Sequence, residues 1–256
     1  MKHKFFFSTL FIFSASVLIY SISNFYLRSI DNEIIDLIYE QSNIINIDNN
    51  VSIVDSSLKY TVKFIDSIST YSNEDNPYFS FNRIAIEDYY LKGCGGSSLL
   101  LAKVLSRRGL KFKFVQLRYN NIWGSHIDLE VQDNPNNLLV DPSLNYMFRD
   151  SSNNPISIET VCKDWHKLIK YLPSNYNLQF DYQEGYRYTN WDKFGSVSRF
   201  AYRISCRFFG KEKVDNFSLR SFFIDEYFFR AISSIIILII PLVLIRKNLV
   251  IRNNTN

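Results

Sequence analysis

The chain has 256 residues, of which 46% are hydrophobic and 21% charged, a balance that permits a buried core and disfavours wholesale disorder. Glycine and proline number only 8 and 6, which argues against a fibrous or linker-rich protein. The net charge of +4 is small and dispersed, without a basic stripe, so no nucleic-acid partner is expected.

The chain begins with a long apolar run. No charged residue occurs from Phe5 to Leu27, and a helix of that length can cross a hydrocarbon core of about 30 Å. One alternative is a cleaved signal peptide, with "SAS" at 14–16 as its cleavage site. Because the apolar run continues past that point, the sequence favours an uncleaved transmembrane anchor over 1–27.

Helices and then strands are predicted in the central part of the chain. Apolar residues at three- and four-residue spacing predict helices at 31–47, 56–69 and 97–108, with a loop at 71–82. Gly109 supplies the stop of the third helix.

The strands follow this third helix. Runs rich in β-branched and aromatic residues predict three of them: 111–119, 126–131 and 138–141. A turn is predicted at 132–137 and a further helix at 156–172, whereas no element is predicted from Pro173 to Phe223. Helices followed by a probable antiparallel sheet predict the α+β fold class.

A second apolar run lies near the end of the chain. Ala231–Ile245, extended back to Phe228, reaches 18 residues and shows no polar face in its centre. A buried C-terminal helix of a soluble fold is the alternative. The pattern favours a transmembrane helix at 228–245, followed by a cytoplasmic tail at 246–256.

Positive charge predicts the orientation of these two spans. The basic residues outside them are Lys2, Lys4, Arg246, Lys247 and Arg252. The positive-inside rule therefore predicts a two-pass membrane protein with both termini in the cytoplasm. The segment 28–227 is then predicted to be an extracytoplasmic domain.

Cys94 lies between Gly93 and Gly95, directly before the third predicted helix. The positive end of a helix dipole favours a thiolate, and the glycines permit a tight turn and leave space for a substrate. A zinc site is a poor alternative because the chain has no CxxC and no paired histidines. Cys162 and Cys206 could form a disulfide that leaves Cys94 free.

A histidine and two carboxylates follow on the predicted strands. Alternation places His126, Asp128 and Glu130 on one face of the strand at 126–131. If that strand and 138–141 form a hairpin, Asp141 comes close to His126. A thiol, an imidazole and a carboxylate together are the groups of a cysteine nucleophile and its base.

These stretches, "GCGGSSLLLAKVLSRRGLKFKFVQL", "SHIDLEV" and "LLVDPS", resemble the transglutaminase-like superfamily, whose fold is papain-related. The resemblance covers about 91–144. It implies a core in which the nucleophile begins a helix packed against an antiparallel sheet. It also implies that Cys94 is the nucleophile, His126 the general base and acid, and Asp141 the carboxylate that orients it.

The sequence departs from the family pattern beside the histidine. Family members often carry an aromatic residue there, whereas Ile127 and Asp128 follow His126. Asp128 shares the face of His126 and could partly replace Asp141. The Cys94 amide is one natural oxyanion donor. The second donor stays open among Asn82, Tyr89 and Tyr90.

The expected function is that of a membrane-anchored cysteine enzyme that cleaves or transfers amide or ester acyl groups through a thioester. Hydrolysis is favoured because water needs no acceptor site, so a peptidase or amidase acting at the cell envelope is expected. Its partners would be a peptide, protein or cell-envelope substrate and the lipid bilayer, with no cofactor and no metal. The alternative is a catalytically degenerate membrane scaffold or binding protein with the same fold.

Overall fold

The computed structural model describes residues 2–43, 49–71, 85–86, 89, 93–119, 122–133, 137–174, 176, 178, 180, 182–193 and 195–253. The predicted loop at 71–82 lies outside these residues from 72 onward, as do 134–136 of the predicted turn. The chain divides into two compact units. One comprises 1–33, 80–85 and 225–256, and the other comprises 34–79 and 86–224.

The first unit contains the beginning of helix α1 (Lys2–Asn43) and helix α8 (Glu226–Asn253). Within it, the Ser21 and Ser234 hydroxyls lie 2.6 Å apart and are buried. Arg28 Nε donates to Asp225 Oδ2 at 2.7 Å. Polar contacts and an ion pair therefore accompany the apolar packing of this unit.

The two predicted transmembrane helices, 1–27 and 228–245, are wrong. Among the residues that the structure describes, no helix is long and apolar enough to cross a membrane. Absence of charge was a poor criterion, because serine and asparagine residues such as Ser21 and Asn24 interrupt the first run and Arg230 stands inside α8. The predicted two-pass topology, with an extracytoplasmic 28–227 and a cytoplasmic tail, is overturned with them.

The second unit is built on a five-stranded antiparallel sheet, so the fold class is α+β without the predicted flanking membrane helices. The sheet order is β4-β3-β2-β1-β5. The strands are β1 (Phe112–Tyr119), β2 (Ile122–Val131), β3 (Leu138–Asp141), β4 (Tyr146–Met147) and β5 (Tyr186–Arg187). β1 and β3 match the predicted ranges closely, whereas β2 begins four residues before the predicted 126–131.

Helices surround this sheet in chain order. They are α2 (Asn50–Tyr71), α3 (Cys94–Arg107), α4 (Ile158–Leu168), α5 (Ser196–Phe209), α6 (Lys211–Asp215) and α7 (Leu219–Phe222). The helix predicted at 156–172 is shorter, because a 3₁₀ turn at Ile169–Tyr171 follows α4. Ser157 caps α4, since its side chain accepts from the Thr160 amide.

Both faces of β2 are covered. On one face, α3 is buried from Gly95 to Leu105, and Ser98 Oγ donates to the Ile127 carbonyl at 2.6 Å. On the other face lies an aromatic core that includes Phe148, Trp165 and Tyr182. The polar alternate residues of β2 are therefore enclosed between a sheet and an aromatic layer.

Candidate active site

Cys94 is the first residue of α3, and Gly93 precedes it with a φ of 53°. This left-handed conformation suits glycine because it has no Cβ. The Gly93 carbonyl accepts from the amides of Gly96 and Ser97, at 3.0 Å each, and so closes the first turn. The sequence thus places a half-buried thiol at a helix N-terminus, as predicted from the glycines around it.

The other two glycines of this turn have different roles. A Cβ at Gly96 would overlap the carbonyl oxygen of Tyr89, so this position must be glycine for packing. A Cβ at Gly95 would only make ordinary contacts, 3.5 Å from Arg220 and 3.6 Å from Ile127. Neither glycine supplies the space for a substrate that the sequence suggested.

A β-bulge directs His126 toward the thiol. The register of β1 and β2 pairs Leu117 with His126 and then Arg118 with Trp123, so two residues of β2 have no opposite partner. Gly124, one of the two, has a φ of 78°. Bulges bend a strand and redirect its side chains. Beside the bulge, Cys94 Sγ lies 4.0 Å from the carbonyl of Ser125 and hydrogen-bonds the His126 side chain.

Two carboxylates approach the same nitrogen of His126. Nε2 lies 2.9 Å from Asp141 Oδ2 and 3.0 Å from Asp128 Oδ1. A single N–H serves only one of them well, and Asp128 Oδ1 makes no directed hydrogen bond. Asp141 is therefore the hydrogen-bond partner of His126, and Asp128 acts mainly through its charge.

The strand register explains this pair of carboxylates. β2 and β3 pair Leu129 with Val140, so the next position along the ladder sets Asp128 opposite Asp141. Directly opposed residues share a face of the sheet, and His126 is two residues further along the same face. The predicted hairpin does bring Asp141 to His126. Its direct neighbour across the ladder is Asp128.

Asp141 is held rigidly at the end of β3. Its Oδ1 accepts from the Ser143 amide at 3.0 Å, the Ser143 hydroxyl at 2.6 Å and the Leu144 amide at 3.2 Å. This is the side-chain turn that aspartate forms with the residues after it. The "DPS" sequence therefore fixes one carboxylate oxygen and leaves the other for His126.

Three aromatic residues that the sequence did not single out complete the site. Tyr182 donates to Asp128 Oδ2 at 2.6 Å, and its hydroxyl lies 2.7 Å from that of Tyr176. Because Tyr182 has given its proton to Asp128, Tyr176 is the donor between them, and its 3.3 Å approach to Asp141 is the weaker contact. Phe180 stacks on the His126 ring with centroids 3.9 Å apart.

Burial and neighbouring charges set the protonation states. Burial lowers the pKa of His126, but Asp128, Asp141 and Cys94 together raise that pKa to about 12. Burial and the charge of Asp141 raise the pKa of Asp128 to about 6, against the opposing effects of His126 and Tyr182. Near neutral pH the site is then an imidazolium held by two carboxylates.

The tyrosines respond to the same environment. Burial beside Asp128 and Asp141 raises the pKa of Tyr176 and of Tyr182 above the ordinary value. Both hydroxyls therefore remain protonated donors across the physiological range. They hydrogen-bond the carboxylates without adding charge to a buried site.

His126, Asp128 and Asp141 are also of the right kind to ligate a metal ion, since their ligand atoms lie within 4.8 Å of one another. These atoms are already directed at one another and at the tyrosine hydroxyls. An ion would have to displace those bonds in a site where each of the three residues is at most 1% exposed. The donor set therefore fits a hydrogen-bonded triad better than a metal centre.

The remaining sequence candidates have these positions. Asn82 and Tyr90, two candidates for the second oxyanion donor, lie outside the described residues. Tyr89 is 2% exposed, and its hydroxyl accepts from Lys103 Nζ at 2.9 Å. Cys162 and Cys206 are both free thiols, so the disulfide considered for them is not formed.

Two cavities in the second unit lie away from this site. One of about 470 Å³ is lined by residues that include Tyr186 and Trp191, and one of about 750 Å³ by residues that include Glu130 and Glu159. Neither is lined by Cys94 or His126. Cavity size alone would miss the one place where a thiol, an imidazole and carboxylates meet.

Comparisons with protein-family models, with curated proteins and with solved structures find no match to this chain. The transglutaminase-like resemblance is therefore one of three short motifs and their spacing. The site itself is defined by contacts of this chain's own residues.

Proposed function

We propose that this protein is a cysteine-dependent acyl-transfer enzyme, and specifically a hydrolase of amide or ester bonds. Cys94 is the nucleophile, His126 the general base and acid, and Asp141 the residue that orients His126. The observation that carries the proposal is the contact of Cys94, at the start of α3, with a histidine whose Nε2 lies 2.9 Å from Asp141. The motif resemblance to transglutaminase-like and papain-related enzymes supports the same roles.

The first half-reaction forms a thioester. The Cys94 thiolate attacks the carbonyl carbon of the substrate, and the Cys94 backbone N–H donates to the oxyanion of the tetrahedral intermediate. As the intermediate collapses, the C–N or C–O bond breaks and the leaving amine or alcohol takes a proton from the His126 imidazolium. An acyl group is left on Sγ.

The second half-reaction releases the acid. Neutral His126 accepts a proton from water as the water oxygen attacks the thioester carbonyl, and the C–S bond breaks to return the thiolate and the imidazolium. An amine in place of water would give a transferase. We favour water, since it needs no dedicated acceptor site. Peptides, proteins and cell-envelope fragments are the substrate classes that we expect.

The carboxylates determine how His126 can work. Since Asp141 and Asp128 both occupy Nε2, Nδ1 is the nitrogen that remains for the thiol and the leaving group. The Asp141 bond fixes the tautomer and ring orientation that the proton transfers need. Stacking of Phe180 on the ring and the burial of the pair exclude water from the Nε2 side.

Labelling with a thiol-directed electrophile tests the proposal. Wild type should be labelled at Cys94, found by peptide mass mapping, and Cys94→Ala should lose that label and all turnover of peptide and ester substrates. Cys206→Ala is the matched control, because Cys206 is also a half-exposed free thiol. Equal labelling and equal activity in wild type and Cys94→Ala would refute the assignment.

Substrate profiling distinguishes an enzyme from a degenerate scaffold. Peptides and cell-envelope fragments are incubated with wild type and with Cys94→Ala, and products are followed by mass spectrometry. Cleavage by wild type alone supports hydrolysis, and a new amide bond to an added amine supports transfer. Labelling of Cys94 without any turnover would indicate that the fold has been kept for binding.

A further inference from the structure

Helix α5 exposes its apolar side and buries its polar side. The exposed fractions of Val197, Phe200 and Phe208 are 73%, 65% and 76%, and that of Ile204 is 41%. The residue that it buries is Ser198, at 9% exposure. A helix of a globular domain normally does the reverse, with its apolar stripe toward the core.

These apolar residues form one continuous stripe. At about 100° per residue, Phe200, Ile204, Val197 and Phe208 fall within an arc of roughly 80° on one side of the helix. Contiguous exposed apolar surface of this kind usually marks an interaction site. The buried side explains why the helix holds its orientation, since Tyr202 on that side donates to Asp215 at 2.9 Å.

A basic stripe adjoins the apolar one. Arg199, Arg203 and Arg207 recur every four residues, so they line one edge of the exposed apolar face. No acidic residue occurs in Ser196–Phe209. All three arginines are exposed. The surface that this helix fits is therefore apolar in its interior and negatively charged at its boundary.

We propose that α5 lies in the plane of an anionic lipid surface. The phenylalanines would enter the boundary between headgroups and acyl chains, and the arginines would contact lipid phosphates. A protein partner with an apolar groove would satisfy the stripe of Phe200 and Phe208, but it gives no reason for three arginines without a single acid. This interaction is independent of the chemistry at Cys94.

The test must report on α5 itself, because other helices of the full chain also expose apolar residues. Phe208→Trp is compared with Ile122→Trp, whose position is 65% exposed on β2, away from the stripe. Quenching of tryptophan fluorescence is measured with vesicles of equimolar brominated phosphatidylcholine and phosphatidylglycerol. The expected result is a clear extra quenching for Phe208→Trp and none for Ile122→Trp beyond the native tryptophans.

Charge dependence and oligomeric state complete the test. Arg199→Gln/Arg203→Gln/Arg207→Gln, made on the Phe208→Trp background, should lose most of the extra quenching, as should vesicles of brominated phosphatidylcholine alone or high salt. Equal quenching of Phe208→Trp and Ile122→Trp would overturn the proposal. So would self-association in lipid-free buffer that Phe200→Ser/Phe208→Ser abolishes, since the stripe would then bind a second copy.

Discussion

The charge on His126 depends on two carboxylates at a single nitrogen. Asp128 and Asp141 lie 3.0 and 2.9 Å from Nε2, and together with Cys94 they raise the pKa of His126 to about 12 against the effect of burial. We therefore expect the imidazole of His126 to remain doubly protonated at pH 8. Asp128→Asn removes one negative charge and should lower that pKa.

Nitrogen NMR of the imidazole side chains measures this directly. The His126 nitrogens should show imidazolium shifts throughout the neutral range in wild type, with His166→Gln used to assign the signals. In Asp128→Asn the same signals should move toward the neutral form at a lower pH than in wild type. A wild-type His126 that titrates near the ordinary value of about 6.5 would contradict the geometry of the pair.

Tyr182 and Tyr176 offer a matched comparison of two buried hydroxyls. Tyr182→Phe removes the 2.6 Å bond to Asp128, which is fully buried, and should lower the free energy of unfolding by about 1–3 kcal/mol. Tyr176→Phe should cost less, because Asp141 keeps its bonds to His126, Ser143 and Leu144. Urea denaturation at pH 7 measures both, and a larger loss for Tyr176→Phe would contradict this order.

At the level of residues, the sequence identifies the reactive groups but not their surroundings. Cys94, His126 and Asp141 each stand in a short motif with its own local reason. Tyr176 and Phe180 lie in a stretch without helical or strand periodicity, about fifty residues after His126 in the chain. Only the tertiary fold brings them to the site, so no local pattern could have revealed them.

At the level of elements, the start of α3 depends on one glycine. Gly96→Ala places a Cβ against the Tyr89 carbonyl, and should destabilise the fold by about 1–3 kcal/mol or more, since backbone must move. Gly95→Ala meets only ordinary contacts and should be neutral or stabilising, because alanine favours the helix by up to about 1 kcal/mol. Thermal unfolding of the two variants decides it, and equal losses would contradict the packing argument.

The boundaries of α3 and β2 show where periodicity stops being informative. Apolar spacing begins at residue 97, whereas α3 begins at Cys94, because its first buried residues are glycines that carry no apolar signal. β2 extends back to Ile122 through a bulge at Gly124, which breaks the alternation of the strand. Backbone conformations fixed by glycine are thus found at both approaches to the site.

At the level of the whole molecule, the polar face of β2 was the least predictable feature. Alternation in "HIDLEV" is typical of a strand with one face in water, yet His126, Asp128 and Glu130 are 1%, 0% and 2% exposed. The cover comes from later parts of the chain, through contacts such as Tyr182 with Asp128 and Tyr188 with Glu130. Enclosing these charges makes the stability of the fold depend on pH.

The direction of that dependence follows from the two shifted groups. The pKa of Asp128 is raised from 3.8 to about 6, so the native state holds a proton that the unfolded chain has already lost between about pH 4 and 6. Stability therefore falls as pH rises through this window, by on the order of 3 kcal/mol from Asp128 alone. The raised pKa of His126 contributes stability that is complete below about 6.5 and is lost toward 12.

Asp128→Asn isolates the first effect, because His126 stays protonated in both folded and unfolded chains below about pH 6. The free energy of unfolding is measured by urea at intervals from pH 4 to 6 in wild type and in this variant. The excess of wild type over the variant should shrink steadily as pH rises. Asp150→Asn is the control of opposite sign, since backbone hydrogen bonds lower the pKa of that exposed carboxyl and its contribution grows with pH. Parallel curves for wild type and Asp128→Asn would mean that Asp128 is ionised throughout, and that His126 neutralises it more completely than its burial opposes.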